Sequence, residues 1–220
     1  MKAKSKGVKY LADGADGFQP GSRGKLLKNL FGITRIRDME DAELAGYMSA
    51  ERELLAIFDK DHRFDLNDLN LIHKKFLGKV YSWAGEYRSV NLSKGGFVFA
   101  TAIAIHRGLM KDFEKKVLFV HTPCRGEKLE EVALHIATVH VEFLLIHPYS
   151  EGNGRTARLL ATFMAYQAGL PGIDFGFIRS RGKEFDRYIS AIQAGLRQNY
   201  KPMQQIILKA LKRALRKVRH

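Results

Sequence analysis

Residues 129–169 read LEEVALHIATVHVEFLLIHPYSEGNGRTARLLATFMAYQAG, and this stretch decides the fold. Its first part, Leu129 to Ile146, carries Leu129, Val132, Ala133, Ile136, Ala137, Val139, Phe143 and Leu144 and is apolar on most sides. A helix apolar nearly all round belongs in the centre of a bundle. Pro148 stops it. A second apolar helix is predicted over residues 156–168, ended by Gly169 and Pro171. The connection between them is polar and carries two glycines, so two core helices are joined by a chemically loaded turn.

Outward from this pair the pattern stays helical. Leu44, Tyr47, Met48, Glu51, Leu54, Leu55 and Phe58 suit one amphipathic helix, in a pattern that turns helical from about Gly24. Asp65 can N-cap the next, which carries Leu69, Ile72, Phe76, Leu77 and Val80. Further helices are expected from Ala102 to Val120, from Glu184 to Leu196 and from Gln204 to Val218. Residues 88–100 break the habit. Ser89-Val90-Asn91-Leu92 alternates, Ser93-Lys94-Gly95-Gly96 is turn material, and Phe97-Val98-Phe99 favours strand, so a short β-hairpin is predicted. A lone hairpin must lie on something. The expected class is all-α, a helical bundle with one hairpin.

The 220 residues are 45% hydrophobic and 27% charged, enough to build a core. The single cysteine, Cys124, excludes an internal disulfide framework and a cysteine-based zinc site. Residues 1–10 are basic without an apolar core, unlike a secretory signal. No apolar run is long enough for a membrane span. A soluble bacterial cytoplasmic protein is the expectation, with secretion into a host cell left open. The net charge of +14 is uneven: residues 1–28 carry +5, residues 187–220 carry +9, and the middle is neutral. The reading is a basic flexible arm over 1–24, a folded unit over 25–200 and a basic amphipathic C-terminal helix over 201–220. That helix can cap the bundle, meet an anionic nucleic acid or membrane, or grip an acidic protein.

The connecting run is His147-Pro-Tyr149-Ser-Glu151-Gly-Asn153-Gly-Arg155-Thr-Ala-Arg158. Gly152 and Gly154 bracket Asn153 just before a helix begins. Glycines let backbone N–H groups turn toward a ligand, and a helix N-terminus adds free donors and a positive dipole end. Such a cradle suits phosphate. Arg155 and Arg158, three apart, project from one side of the first turn, and two guanidinium forks suit a polyphosphate. Glu151, an acid in a basic site, can hold Mg²⁺ together with substrate phosphates. His147 can take a proton from an incoming hydroxyl. Each feature alone is ordinary; their joint occurrence in twelve residues is not.

The run resembles the signature of the Fic family, H-x-F-x-[DE]-G-N-G-R-x-x-R, with Tyr149 where the family has Phe. Asn29-Leu-Phe-Gly-Ile33-Thr34 is similar to an early stretch of the family. Ile72-His73-x-x-Phe76 and Tyr81-x-Trp83-Ala-Gly85-Glu-Tyr87-Arg88 resemble the stretch before its flap, and the hairpin falls where the flap does. The resemblance implies a protein adenylyltransferase that moves AMP from ATP to a hydroxyl of a target protein. It implies His147 as general base and Glu151 as Mg²⁺ ligand. Gly152, Asn153 and Gly154 would form the anion hole, with Arg155 and Arg158 on the β- and γ-phosphates. The flap around Lys94 and Gly95 would hold the target by strand addition, and Tyr188 would border the adenine. Doc-type phosphotransferases carry Lys at the position of Gly154, so AMP transfer is favoured here.

The tyrosine hydroxyl at 149 needs a partner. His135, His140 and His147 lack metal-ligand spacing and are expected as core or surface residues. Trp83, Tyr81 and Tyr87 are expected in packing. A DNA-binding reading lacks any recognisable module, and an inactive nucleotide-binding scaffold is opposed by the intact His147. Fic proteins are commonly restrained by a glutamate in an [ST]-x-x-x-E-[GN] helix that pairs with the second arginine, here Arg158. Ser49 to Glu53 has the spacing, but Leu54 follows. The expectation is a toxin restrained in trans by a small acidic antitoxin, with a secreted effector and a Doc-type enzyme as alternatives.

Overall fold

The structure, a computed structural model, describes residues 17–176 and 182–218. Among them are seven helices and one two-stranded antiparallel hairpin. The predicted class is the observed one. The helices are α1 (Ile36–Leu55), α2 (Leu66–Leu77), α3 (residues 102–121), α4 (Leu129–Ile146), α5 (Asn153–Gln167), α6 (Lys183–Ala194) and α7 (Lys201–Val218). The strands are β1 (Ser93–Lys94) and β2 (Phe97–Val98).

Helix α4 is the hub, packed against α5, α6 and α7, while α2 packs on α1 and α5. Eleven of its residues are buried, from Val132 to Ile146, as its all-round apolar sequence requires. Helix α2 starts at a capping box. Asp65 accepts from the Asp68 N–H at 2.9 Å, and the Asp68 carboxylate accepts from the Asp65 N–H at 2.9 Å. Helix α7 lays Met203, Ile207, Ala210 and Leu211 in the core and turns its basic residues outward. Several of those are ion-paired, Lys209 to Glu184, Lys212 to Glu130 and Lys217 to Asp174. No described helix is long and apolar enough to cross a membrane.

The structure corrects the sequence reading in several places. Most of the expected arm, residues 1–16, lies outside the described residues. Residues 17–24 are not loose: Phe18 bridges Leu27, and the Gln19 N–H donates to the Leu26 carbonyl at 2.9 Å. Gly21 and Gly24 supply the positive φ that the turn needs, which is why the segment read as unstructured. Residues 24–34 are not helical; α1 begins at Ile36, well before Leu44, and its N-cap Arg35 offers no capping side chain to read. Phe58 lies past the end of α1. Helix α3 is no plain helix. It alternates α- and π-type turns and is kinked at Gly108 (φ 128°). The hairpin strands are two residues each, turning through Gly95 and Gly96, both at positive φ.

Candidate active site

Helix α4 ends on a left-handed residue, and that residue is His147 (φ 55°, ψ 60°). A side chain at positive φ is held there only where its surroundings require it. Arg88 is the main restraint. Its guanidinium is buried among carbonyls, with Nε donating to His147 at 2.8 Å, Nη1 to Val90 at 2.6 Å and Nη2 to Ala100 at 2.5 Å. One side chain thus ties both ends of the hairpin to the turn after α4. Desolvation pulls the Arg88 pKa down to about 10, still charged at neutral pH.

The His147 ring lies under Phe99, 3.8 Å between centroids at 18°, just beyond β2. Its Nδ1 faces the Leu144 carbonyl at 3.2 Å. A carbonyl only accepts, so Nδ1 carries the proton and Nε2 presents the lone pair. Burial draws the pKa of His147 down to about 3, so the ring is neutral and able to accept a proton.

The turn from 148 to 153 is closed by its own side chains. Asn153 Oδ1 accepts from the Tyr149 N–H at 2.9 Å, and its Nδ2 donates to the Tyr149 carbonyl at 2.6 Å. Asn153 therefore shapes the loop with its side chain and contributes its backbone to the cradle. Gly152 sits at φ 82°, where an added Cβ would meet Leu77 Cδ1 at 2.6 Å, so only glycine fits. The Asn153 and Gly154 amides lead α5, where no earlier turn supplies carbonyls. Tyr149 is fully buried, and its hydroxyl finds its partner in Asn70 Oδ1 at 2.8 Å. His73 stacks on Tyr149 at 3.9 Å and donates from Nε2 to the Glu151 carbonyl at 2.9 Å. Its Nδ1 takes the Gly85 N–H at 2.8 Å, which fixes that tautomer.

The two arginines differ. Arg155 lies over the Phe76 ring and pairs with Glu43 on α1 at 2.5 Å and with Glu151 at 3.6 Å. Glu43 is itself buried and accepts from the Tyr81 hydroxyl at 2.9 Å. Burial opposes the charge on Arg155, but Glu43 and Glu151 outweigh it and raise its pKa. Arg155 is thus already held by two carboxylates. Arg158 instead shares the cleft with Tyr188 on α6, on whose hydroxyl its charge acts.

A cleft of about 620 Å³ brings these groups together. His147, Glu151, Gly152, Asn153, Gly154, Arg155 and Arg158 line it, and Lys94, Gly95 and Phe99 form the flap side. Tyr188 also lines it, although its hydroxyl points to His140. Every site residue singled out in the sequence borders this one cleft. No group of three His, Cys, Asp or Glu capable of holding a metal occurs among the described residues. Glu151 alone, with substrate oxygens completing the shell, fits the way Mg²⁺ is usually held. Glu43, His73, Arg88, Phe99 and His140 were not singled out as site residues. Cys124 is buried, with its thiol pushed up to about 12, and Tyr81 stacks on Trp83 at 4.5 Å, in packing as expected for these aromatic residues.

A bundle around a central helix, with an anion cradle and a neutral histidine under a flap, defines the class. Residues 63–165 match the Fic/DOC family. It is 33% identical over 147 residues to protein adenylyltransferase VbhT of Bartonella schoenbuchensis, covering 66% of this chain and 30% of that protein. It is 29% identical over 150 residues to the probable protein adenylyltransferase y4lH of Sinorhizobium fredii, covering 68% and 74% of the two chains. The fold aligns with the Bartonella tribocorum effector BepC, solved with bound AMPPNP, at TM-score 0.69 and 25% identity, over 84% of this chain and 92% of that one. The chain thus spans less than a third of VbhT and about three quarters of y4lH.

Proposed function

We propose that this chain is a protein adenylyltransferase, transferring AMP from ATP to a hydroxyl of a target protein. The observation that carries the reading is the single cleft in which a neutral His147, the cradle at 152–154, Glu151 and Arg158 face one another under the flap. The adenylyltransferase names of the relatives and the ATP analogue bound to BepC support it. The target oxygen attacks the α-phosphorus, the bond to the β-phosphate oxygen breaks, and pyrophosphate leaves. The hydroxyl proton passes to His147 Nε2. The amides leading α5 and Arg158 hold the phosphates, while Lys94 and the hairpin backbone hold the target segment. Mg²⁺, when bound by Glu151 and phosphate oxygens, would neutralise developing charge. Arg155, gripped by Glu43, would orient Glu151 and bear on the phosphates through it.

His147→Ala should keep ATP binding and lose transfer by about 10²–10⁴-fold, the usual worth of a positioned base. Glu151→Gln should need far more Mg²⁺ for half-maximal rate. Coincident Mg²⁺ titrations, or transfer by His147→Ala at the parent rate, would overturn these roles.

For control, we propose a partner that places a glutamate on Arg158 in trans. Glu53, the internal residue with suitable spacing, is exposed and bonds Ser49 and Lys75 at 2.9 and 2.8 Å. The +14 charge favours encounter with an acidic partner. The purified chain should be active alone, and Glu53→Gly should not raise its rate; an inactive chain switched on by Glu53→Gly contradicts this. A bacterial cytoplasm is the proposed compartment.

A further inference from the structure

Histidine 140 lies in the middle of α4, fully buried, and the chemistry above does not use it. Both of its ring nitrogens are engaged. Nδ1 lies 3.1 Å from the Ala157 carbonyl and Nε2 lies 2.7 Å from the Tyr188 hydroxyl. Phe175 stacks flat on the ring, 5.6 Å between centroids at 11°. The proton positions are forced. The Ala157 carbonyl only accepts, so Nδ1 carries hydrogen. Burial, which draws the pKa of His140 down to about 3, keeps the ring neutral, so Nε2 is an acceptor. Tyr188 must then donate its hydroxyl hydrogen to Nε2. Its oxygen is left as an acceptor, and Arg158, whose guanidinium has only donors, lines the same cleft and acts on that hydroxyl.

The result is a directed polar path across three helices: the Tyr188 hydroxyl on α6, which shares the cleft with Arg158 of α5, donates to His140 on α4, which donates back to the carbonyl of Ala157, the neighbour of Arg158. A guanidinium on a long stem loses much rotamer freedom when fixed. Here the cost is met within the fold, before any ligand arrives. Arg158 also stays close to the cradle, since a Cβ on Gly154 would lie 3.5 Å from its Nη1. We propose that His140 and Tyr188 are positioning residues that aim Arg158 at the terminal phosphates of the nucleotide, and that Tyr188 serves this task rather than recognition of the base. The inference rests on the reading of Arg158 as a phosphate grip.

Calorimetric titration of the full chain with ATP and with AMP, without metal, separates the possibilities. The parent should bind ATP more tightly than AMP. Tyr188→Phe keeps the ring and removes the hydroxyl. It should weaken ATP by about tenfold, the worth of a lost hydrogen bond to a charged group, and leave AMP within about twofold. Arg158→Ala should weaken ATP at least as much, and adding Tyr188→Phe to it should cost nothing more. Equal weakening of ATP and AMP makes Tyr188 a base contact and overturns the proposal. So does a lower melting temperature with ATP affinity unchanged. If Tyr188→Phe does not fold, His140→Gln is titrated the same way, with the same phosphate-dependent loss expected and the same results overturning it. A parent that binds ATP and AMP equally removes the phosphate-grip reading itself, which is a different failure.

Discussion

Three neighbours act on the His147 ring. The Leu144 carbonyl accepts from its Nδ1–H, Arg88 donates to the His147 carbonyl, and Phe99 covers the ring face. Cover is what lowers the pKa, because burial penalises the charged imidazolium. A base with a lowered pKa works above that pKa and fails as pH falls through it. The acid limb of the pH–rate profile should therefore lie well below 6.5, the ordinary histidine value. Phe99→Ala opens the ring to water and should move that limb upward, toward 6.5. A parent limb at 6.5, unmoved by Phe99→Ala, would show that the stack does not set the base. The run from His147 to Arg158 was legible because its groups are contiguous and the turn folds them together. Glu43, His73 and Arg88 were not, because they reach this run from 112, 78 and 59 residues away. No local pattern marks Glu43; His73 and Arg88 lie in stretches that resemble the family's but carried no role there, and His140 read only as one histidine of a series without metal spacing.

At the scale of elements, α7 answers one question the sequence left open. Its apolar stripe lies on α4, with Met203 and Ile207 fully buried. It caps the bundle, and its basic face is the solvated side. Ile207→Ala should cost about 2–5 kcal/mol in urea unfolding, as for other buried large-to-small changes. Lys212→Ala, exposed in an ion pair, should stay within about 1 kcal/mol. Equal small effects would mean that the helix is not part of the core. Pro202 hid the start of α7, although proline is tolerated in a first helical turn. The hairpin proved shorter than its β propensity suggests for a like physical reason. The carbonyls of Val90 and Ala100 are taken by Arg88 and do not extend the ladder. A buried arginine overrides strand preference there, and strand propensity alone does not reveal it.

Across the whole molecule, burial of neutral histidines links stability to pH. Desolvation holds His73 down to about 4 and His140 to about 3, whereas both titrate near 6.5 once unfolded. Between these values the unfolded chain binds more protons, so stability falls as pH drops below 6.5. Each ring contributes up to about 1.4 kcal/mol per pH unit. Urea midpoints should fall steadily from pH 7 to pH 5, and a flat series would contradict the buried, neutral state of these rings. The same burial ties the core to the site, since His73 supports the Glu151 carbonyl and His140 supports Tyr188. The class of fold was open to reading from helical periodicity, because a bundle writes its core as apolar stripes. The long-range polar links across those stripes leave no periodic trace. What the assembled molecule does is decided most directly by label transfer. The purified chain is incubated with Mg²⁺ and a bacterial lysate, in parallel with ATP labelled at the α-phosphate or at the γ-phosphate. Protein bands labelled from the α-phosphate alone, and absent with His147→Ala, are the predicted result. Bands labelled from the γ-phosphate alone would make the chain a phosphotransferase and contradict AMP transfer.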